Sequence, residues 1–348
     1  MAATSSVLLQ LVLAATAIIL LDKIGAVSSN TADLQREWWR SKLPEVGIPE
    51  TLAVRLSPLS STQVQNFATG LKNMDATYAG QFCKFAGLLC REDVPHILRR
   101  GSSHGKSEGT LEEEKEHVFF DKEELRESGQ IILPDLNFPQ YLKSFLPKDL
   151  AEMMPPFSSA NVSQILNLLD IPRESNMSRS MVDTLRICEE REDEGEVKSC
   201  STSIEGMVEF VVSLLGSDVE LLSDPSVVGS GQRVTVTMAA KRENIVGGKP
   251  PVTCHNFVFP YGMTYCHSFN GSEVFDLQLE VVQDDEKVVR NATAICHYFS
   301  DGTFPSNHEV VLDVLRFQSV LVTAVCSVDE GLLYIVQEVI TGPHNVKS

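Results

Sequence analysis

An α+β fold, with helices first and a mainly antiparallel sheet after them, is what the order of periodicities along this chain predicts. Three observations carry that expectation. Between Val162 and Leu214 apolar residues recur at helical spacing. From Ser217 onward they alternate with polar ones, as in strands with one covered face. The strand-like half also holds three Cys-His dipeptides, Cys254-His255, Cys266-His267 and Cys296-His297, followed by Cys326. Their gaps of ten, 28 and 28 residues form an ordered array of two uncommon residue types.

Taken in order, Val7 to Leu21 is an apolar run broken only by Gln10 and Thr16 and closed by Asp22-Lys23. A membrane-spanning helix needs about 20 apolar residues, so the run reads as a signal peptide over residues 1–26. Ile24-Gly25-Ala26 or Ala26-Val27-Ser28 supplies the small-residue cleavage site. A variable amino-terminal segment, residues 27–90, follows; Pro44, Pro49 and Pro58 cut it into short pieces, and it reads as only partly structured. Its Trp38-Trp39 pair reads as an anchor onto the main domain rather than a carbohydrate platform. Cys83 and Cys90 would stand about 10.5 Å apart on a continuous helix, too far for a disulfide. Either that stretch is not helical or the two have other partners. Residues 91–117, charged and glycine-containing, form a linker, and no internal repeat precedes it.

Residues 118–338 form the main domain and 339–348 a carboxy-terminal tail. Val118-Phe119-Phe120 predicts a first strand. A helix beginning near Ser158-Ser159 carries the stripe Val162, Ile165, Leu166 and Leu169, and a second carries Met181, Leu185 and Cys188. Cys188 and Cys200 bracket the acidic run Glu189 to Glu196, which a local disulfide would clamp; the run lacks the alternating ligand order of a calcium loop and reads as solvated. Thr202-Ser203-Ile204-Glu205 predicts a capping box, and Met207, Phe210, Val211 and Leu214 continue that helix to a stop at Gly216. Val234, Val236 and Met238 alternate as a strand, and the β-branched runs Val310 to Phe317, Val320 to Val325 and Leu332 to Val339 complete the sheet.

Within the array, Met263 to Phe269 reads as a strand, Asn270-Gly271 as a hairpin turn, Val274 to Val282 as the next strand, and Val288 to Phe299 as a third after the turn at Asp284 to Glu286. Successive strand side chains face opposite ways, so the cysteine and histidine of one pair have different jobs. Cysteine suits the covered face, as a disulfide; the histidines of several pairs can gather on the other, where imidazoles suit copper, zinc or nickel. Cys254, Cys266, Cys296 and Cys326 allow three pairings. In a meander Cys266 and Cys296 would lie about 9.5 Å apart, which disfavours that one.

A net charge of −18 argues against nucleic acid and against simple electrostatic adhesion to an acidic polysaccharide. Eight cysteines, an even number, fit a disulfide framework in an oxidising compartment. Asn161, Asn176, Asn270 and Asn291 head Asn-x-Ser/Thr sequons for glycosylation. No nucleophile elbow, phosphate-cradling loop or paired-carboxylate spacing is present, and no catalytic residue is predicted.

The array closely resembles the BURP domain of plant secreted proteins, whose signature is four Cys-His pairs with one short gap and two long ones. Phe119-Phe120, Phe145-Leu146-Pro147, Pro156-Phe157-Ser158, Thr184-Leu185, Cys188-Glu189, Gly195-Glu196, Lys198, Cys200, Thr202-Ser203, Glu205, Met207 and Phe210 extend the resemblance. Ser327 stands where the fourth histidine would fall, and both long gaps exceed the usual length. The resemblance implies a secreted, non-catalytic protein of the cell wall or extracellular matrix, similar to the family's non-catalytic polygalacturonase beta subunit, with wall polysaccharide or wall proteins as partners. It also implies an alternative, a copper-dependent peptide cyclase with His255, His267, His297 and His308 as ligands. No cofactor is expected; copper is possible but weakened by Ser327. No repeated core peptide is present.

Overall fold

The computed structural model describes residues 30–72, 79–91, 93, 119–132, 143–192, 195–222, 233–242, 249–283, 286–298, 324–328 and 333–337. The signal-peptide reading, most of the linker, His308, the run Val310 to Phe317 and the tail lie outside them. Among the described residues no helix is long and apolar enough to cross a membrane.

The fold is α+β, and the described strands form two antiparallel sheets. The amino-terminal segment is more ordered than its prolines suggest. It forms helices α1 (Thr31–Lys42), α2 (Glu50–Ala53), α3 (Ser61–Lys72) and α4 (Ala79–Phe85). Asn30 caps α1 by accepting from the Ala32 amide, and the first proline of the segment, Pro44, falls just beyond that helix, where it breaks nothing. Cys83 and Cys90 are bonded, with Cα atoms 5.5 Å apart. The continuous helix that would have separated them ends at Phe85, and Gly87, at φ +67°, turns the chain back.

After the short strands β1 (Phe119–Asp121) and β2 (Gln130–Ile132) come helices α5 (Lys148–Ala151), α6 (Val162–Leu168) and α7 (Asn176–Glu189). The predicted stripes face inward: Ile165, Leu166, Leu169, Met181 and Leu185 are all buried. Strand β3 (Glu196–Ser201) precedes α8 (Ile204–Leu215), and Gly216, at φ +92°, ends that helix. The capping box is not formed. Ser203, not Thr202, is the N-cap and accepts from the Gly206 amide at 3.1 Å, so no acid stands at the third position. Glu205 instead turns into the protein, where burial pushes its carboxyl upward and Gln35 Nε2 of α1 lies 3.5 Å away.

The remaining strands are β4 (Val219–Leu222), β5 (Arg233–Lys241), β6 (Val252–Asn256), β7 (Thr264–Phe269), β8 (Glu273–Gln283), β9 (Glu286–Tyr298), β10 (Ala324–Val328) and β11 (Leu333–Gln337). A six-stranded sheet runs β1-β10-β9-β8-β5-β2 and a five-stranded sheet β3-β7-β6-β11-β4. The expected meander is therefore only half present: β8 and β9 form a long hairpin, but β7 and β8 lie in different sheets. Strand β7 is paired on both edges, by β3 and β6, which leaves no edge for β8. Asn270-Gly271 thus makes a crossing between sheets rather than a hairpin. In β5 the alternation fails after Val236, where a bulge shifts the register and leaves Met238 exposed.

Among the described residues three apolar cores result. One packs α3, α4, α6 and α7 with Phe259 and Tyr261; a second packs α1 and α8 against Val252, Cys254 and Cys266; a third lies on one face of the six-stranded sheet. All eight cysteines are bonded: Cys83–Cys90, Cys188–Cys200, Cys254–Cys266 and Cys296–Cys326. Opening the Cys188–Cys200 loop by Cys188→Ser should lower unfolding free energy by about 3 kcal/mol on the chain-entropy estimate and reduce the yield of folded protein. Denaturant melts of wild type and variant check this; coincident midpoints would refute a structural role.

Candidate functional site

The array places its two residue types on opposite faces of two sheets. In the five-stranded sheet Cys254 lies directly across from Cys266, and their disulfide faces the core beneath α1 and α8. In the six-stranded sheet Cys296 lies across from Cys326, and that disulfide joins the core of its own sheet. The adjacent histidines project the other way and meet. His255 Nε2 is 3.2 Å from His267 Nε2, and the His267 and His297 rings stand 5.1 Å apart, although they come from different sheets. Cys266 and Cys296 are not partners, but because they belong to separate sheets rather than because a strand intervenes.

Glu196, on β3, organises the cluster. Its side chain is fully buried and its Oε1 accepts from the Tyr265 hydroxyl at 2.9 Å and meets His267 Nδ1 at 3.1 Å. A carboxylate there requires a proton on Nδ1 of His267. The 3.2 Å contact between the two Nε2 atoms is a hydrogen bond in which one ring donates and the other accepts. His297 is held separately, its Nδ1 2.7 Å from Ser272 Oγ. Ser272 Oγ also donates to the Phe269 carbonyl, 2.8 Å away. His255 keeps some exposed surface, yet burial, followed by the charges of His267 and His297, pushes its pKa well below the ordinary 6.5.

A metal centre is testable against these positions. Two nitrogens bound to one tetrahedral ion at about 2.0–2.1 Å stand about 3.3 Å apart, so the His255 and His267 Nε2 pair has the right separation, and Glu196 on Nδ1 of His267 is the outer carboxylate such ligands commonly carry. The set is incomplete. Among the described residues no three histidines, cysteines or carboxylates are grouped to hold an ion. Ser327 pairs with Ile295 in the β10–β9 ladder, which puts it at a register position on the face shared by Ile295 and His297. Of the sequons, Asn270 and Asn291 are exposed, whereas Asn161 and Asn176 are partly covered at helix starts.

The BURP domain family model matches residues 118–326. The chain belongs to the BURP family. It is 28% identical over 276 residues to BURP domain-containing protein 16 of Oryza sativa subsp. japonica, covering 75% of this chain and 76% of that one. It is 31% identical over 191 residues to Polygalacturonase 1 beta-like protein 3 of Arabidopsis thaliana and 30% over 192 residues to Polygalacturonase-1 non-catalytic subunit beta of Solanum lycopersicum. Each of those two matches covers 54% of this chain but only 30% of the relative.

Sequence reasoning missed Glu196, Tyr265 and Ser272 as parts of this BURP site. Glu196 stands in the acidic run and among the family-like residues, neither of which gives its direction; its place on a strand, directly across from Phe269, turns it inward rather than into the solvent expected for that run. One consequence is a pH dependence. Below about 6.5 an unfolded His255 takes up a proton that the folded protein refuses, so stability falls as pH drops through that value toward the depressed folded pKa. Thermal melts from pH 7.5 downward should show a declining Tm, with a shallower decline in His255→Gln. Equal slopes would remove His255 as the cause.

Proposed function

We propose that this BURP protein is a secreted, non-catalytic component of the plant cell wall or extracellular matrix, acting through wall proteins or polysaccharide in wall organisation or development. The observation that carries this reading is the likeness to relatives named as non-catalytic polygalacturonase subunits. The site supports it, since His255, His267, Glu196 and Tyr265 are bonded to one another rather than offered to a substrate. Four disulfides suit an oxidising compartment, and the exposed Asn270 and Asn291 suit glycans.

Affinity purification of a tagged chain from a wall extract tests it. The tagged protein should be recovered from the apoplast, lose mass on glycosidase treatment, and bring down a wall protein such as a polygalacturonase. Retention inside the cell would refute the reading.

A second reading, a copper-dependent peptide cyclase, is favoured by one observation, the 3.2 Å separation of the His255 and His267 nitrogens. His255, His267 and His297, with His308, would hold the ion, and copper would supply oxygen chemistry. The incomplete donor set and the acidity of the wall, which protonates imidazole, weigh against it. Calorimetric titration of copper at the pH of the wall should therefore show weak binding, strengthened in Ser327→His. Stoichiometric nanomolar binding by the unmutated chain, or oxygen-dependent loss of two hydrogens from an added aromatic peptide, would favour the cyclase.

A further inference from the structure

The family model begins at residue 118, but the packing begins at residue 30. Two of the three cores are shared between residues 30–90 and the matched domain. Trp39, Leu43, Leu52 and Leu56 pack with Met207, Val208, Val211 and Leu215 of α8. Leu59, Phe67, Phe82 and Leu89 pack with Leu146, Ile165, Met181 and Phe259. Trp39 is 1% exposed and donates its indole N–H to the Val46 carbonyl at 2.8 Å, so even its polar atom is satisfied within the interface.

The main chain is tied as well. Phe145 N–H donates to Arg55 O at 2.8 Å, Leu89 N–H to Pro260 O at 2.7 Å, and Ser144 N–H to Gly87 O at 3.2 Å. At the centre of these ties Arg55 is 2% exposed. Among the described residues it has no acidic partner; its guanidinium donates to Lys143 O and Asn256 Oδ1 and lies over the Phe145 ring, 4.3 Å from its centre. A desolvated cation held by carbonyls and a ring fits only where the surrounding chain segments are fixed. Gly262 allows this approach, since a Cβ there would come within 2.7 Å of the Phe145 nitrogen. None of the four disulfides crosses from residues 30–90 to the domain: Cys83–Cys90 closes within the segment and the other three within residues 188–326.

We infer that residues 30–90 are a non-covalent subunit of the domain, docked on the surface made by α8, residues 143–146 and 259–262, and that the chain stays assembled when cut between residues 93 and 119. The folding and functional unit is then residues 30–337, and proteolysis in the charged stretch leaves it whole rather than releasing an amino-terminal fragment.

The test uses the full secreted chain, folded first and cut afterwards at a protease recognition sequence placed between residues 94 and 118. The two fragments should co-elute in native gel filtration and separate into two bands on a non-reducing denaturing gel. An amino-terminal fragment eluting alone in native buffer overturns the inference, and so does a single non-reduced band, which would mean that a disulfide crosses. In the cut protein Trp39→Ala should shorten the lifetime of the assembly about a hundredfold; an unchanged lifetime overturns its role as the anchor. If that variant is not secreted, Trp39→Phe is read in the same way, with about a tenfold shortening expected.

Discussion

Opposite projection of neighbouring strand residues is the constraint on which the site depends. A Cys-His dipeptide on a strand can place its sulfur beneath the sheet only by placing its imidazole above it. Cys254 and Cys266, directly opposed in their ladder, close one disulfide, and the register that opposes them also fixes His255 across from Tyr265 and His267 across from Thr253. Cys296 and Cys326 do the same in the other sheet and so fix His297. Slipping either register by one residue would turn the histidines toward the apolar cores and the sulfurs toward the place of the imidazoles. The disulfides therefore staple the strands and, through the backbone, hold the imidazoles.

The two sheets need a reason to stay together, and the histidine cluster is one place where they meet. It is not the only one. Arg242, just past β5 of the six-stranded sheet, donates to Asp276 of β8 and to Glu220 of β4 in the five-stranded sheet, at 2.8 and 2.9 Å. That pairing is partly exposed and worth little alone, whereas the buried Glu196, Tyr265 and His267 bonds are shielded from water. A buried carboxylate is costly unless hydrogen bonds replace its hydration, so the position of Glu196 commits the residues around it to donating.

The histidine cluster is therefore bonded within the fold of this BURP protein. Each ring nitrogen that accepts or donates within the fold is one less available to an incoming ligand. His255 and His267 have the spacing of a metal-binding pair, but the proton between their nitrogens and the carboxylate behind them also make a stable metal-free arrangement.

Much was legible without coordinates. Helical stripes at Ile165, Leu166, Met181 and Leu185, the stop at Gly216, the β8–β9 hairpin and the separation of cysteine from histidine faces all follow from local periodicity, because side-chain direction repeats every two residues in strands and every 3.6 in helices. What the sequence could not decide was which strands are neighbours. β7 pairs with β3 and β6 rather than β8 because both its edges are taken, a fact about the whole sheet that no local pattern encodes. Nor could an acidic run reveal that Glu196 faces inward, or prolines reveal that helices α1 to α4 share a core with the domain. Period fixes which way a side chain points; only the packing of distant segments decides what it meets.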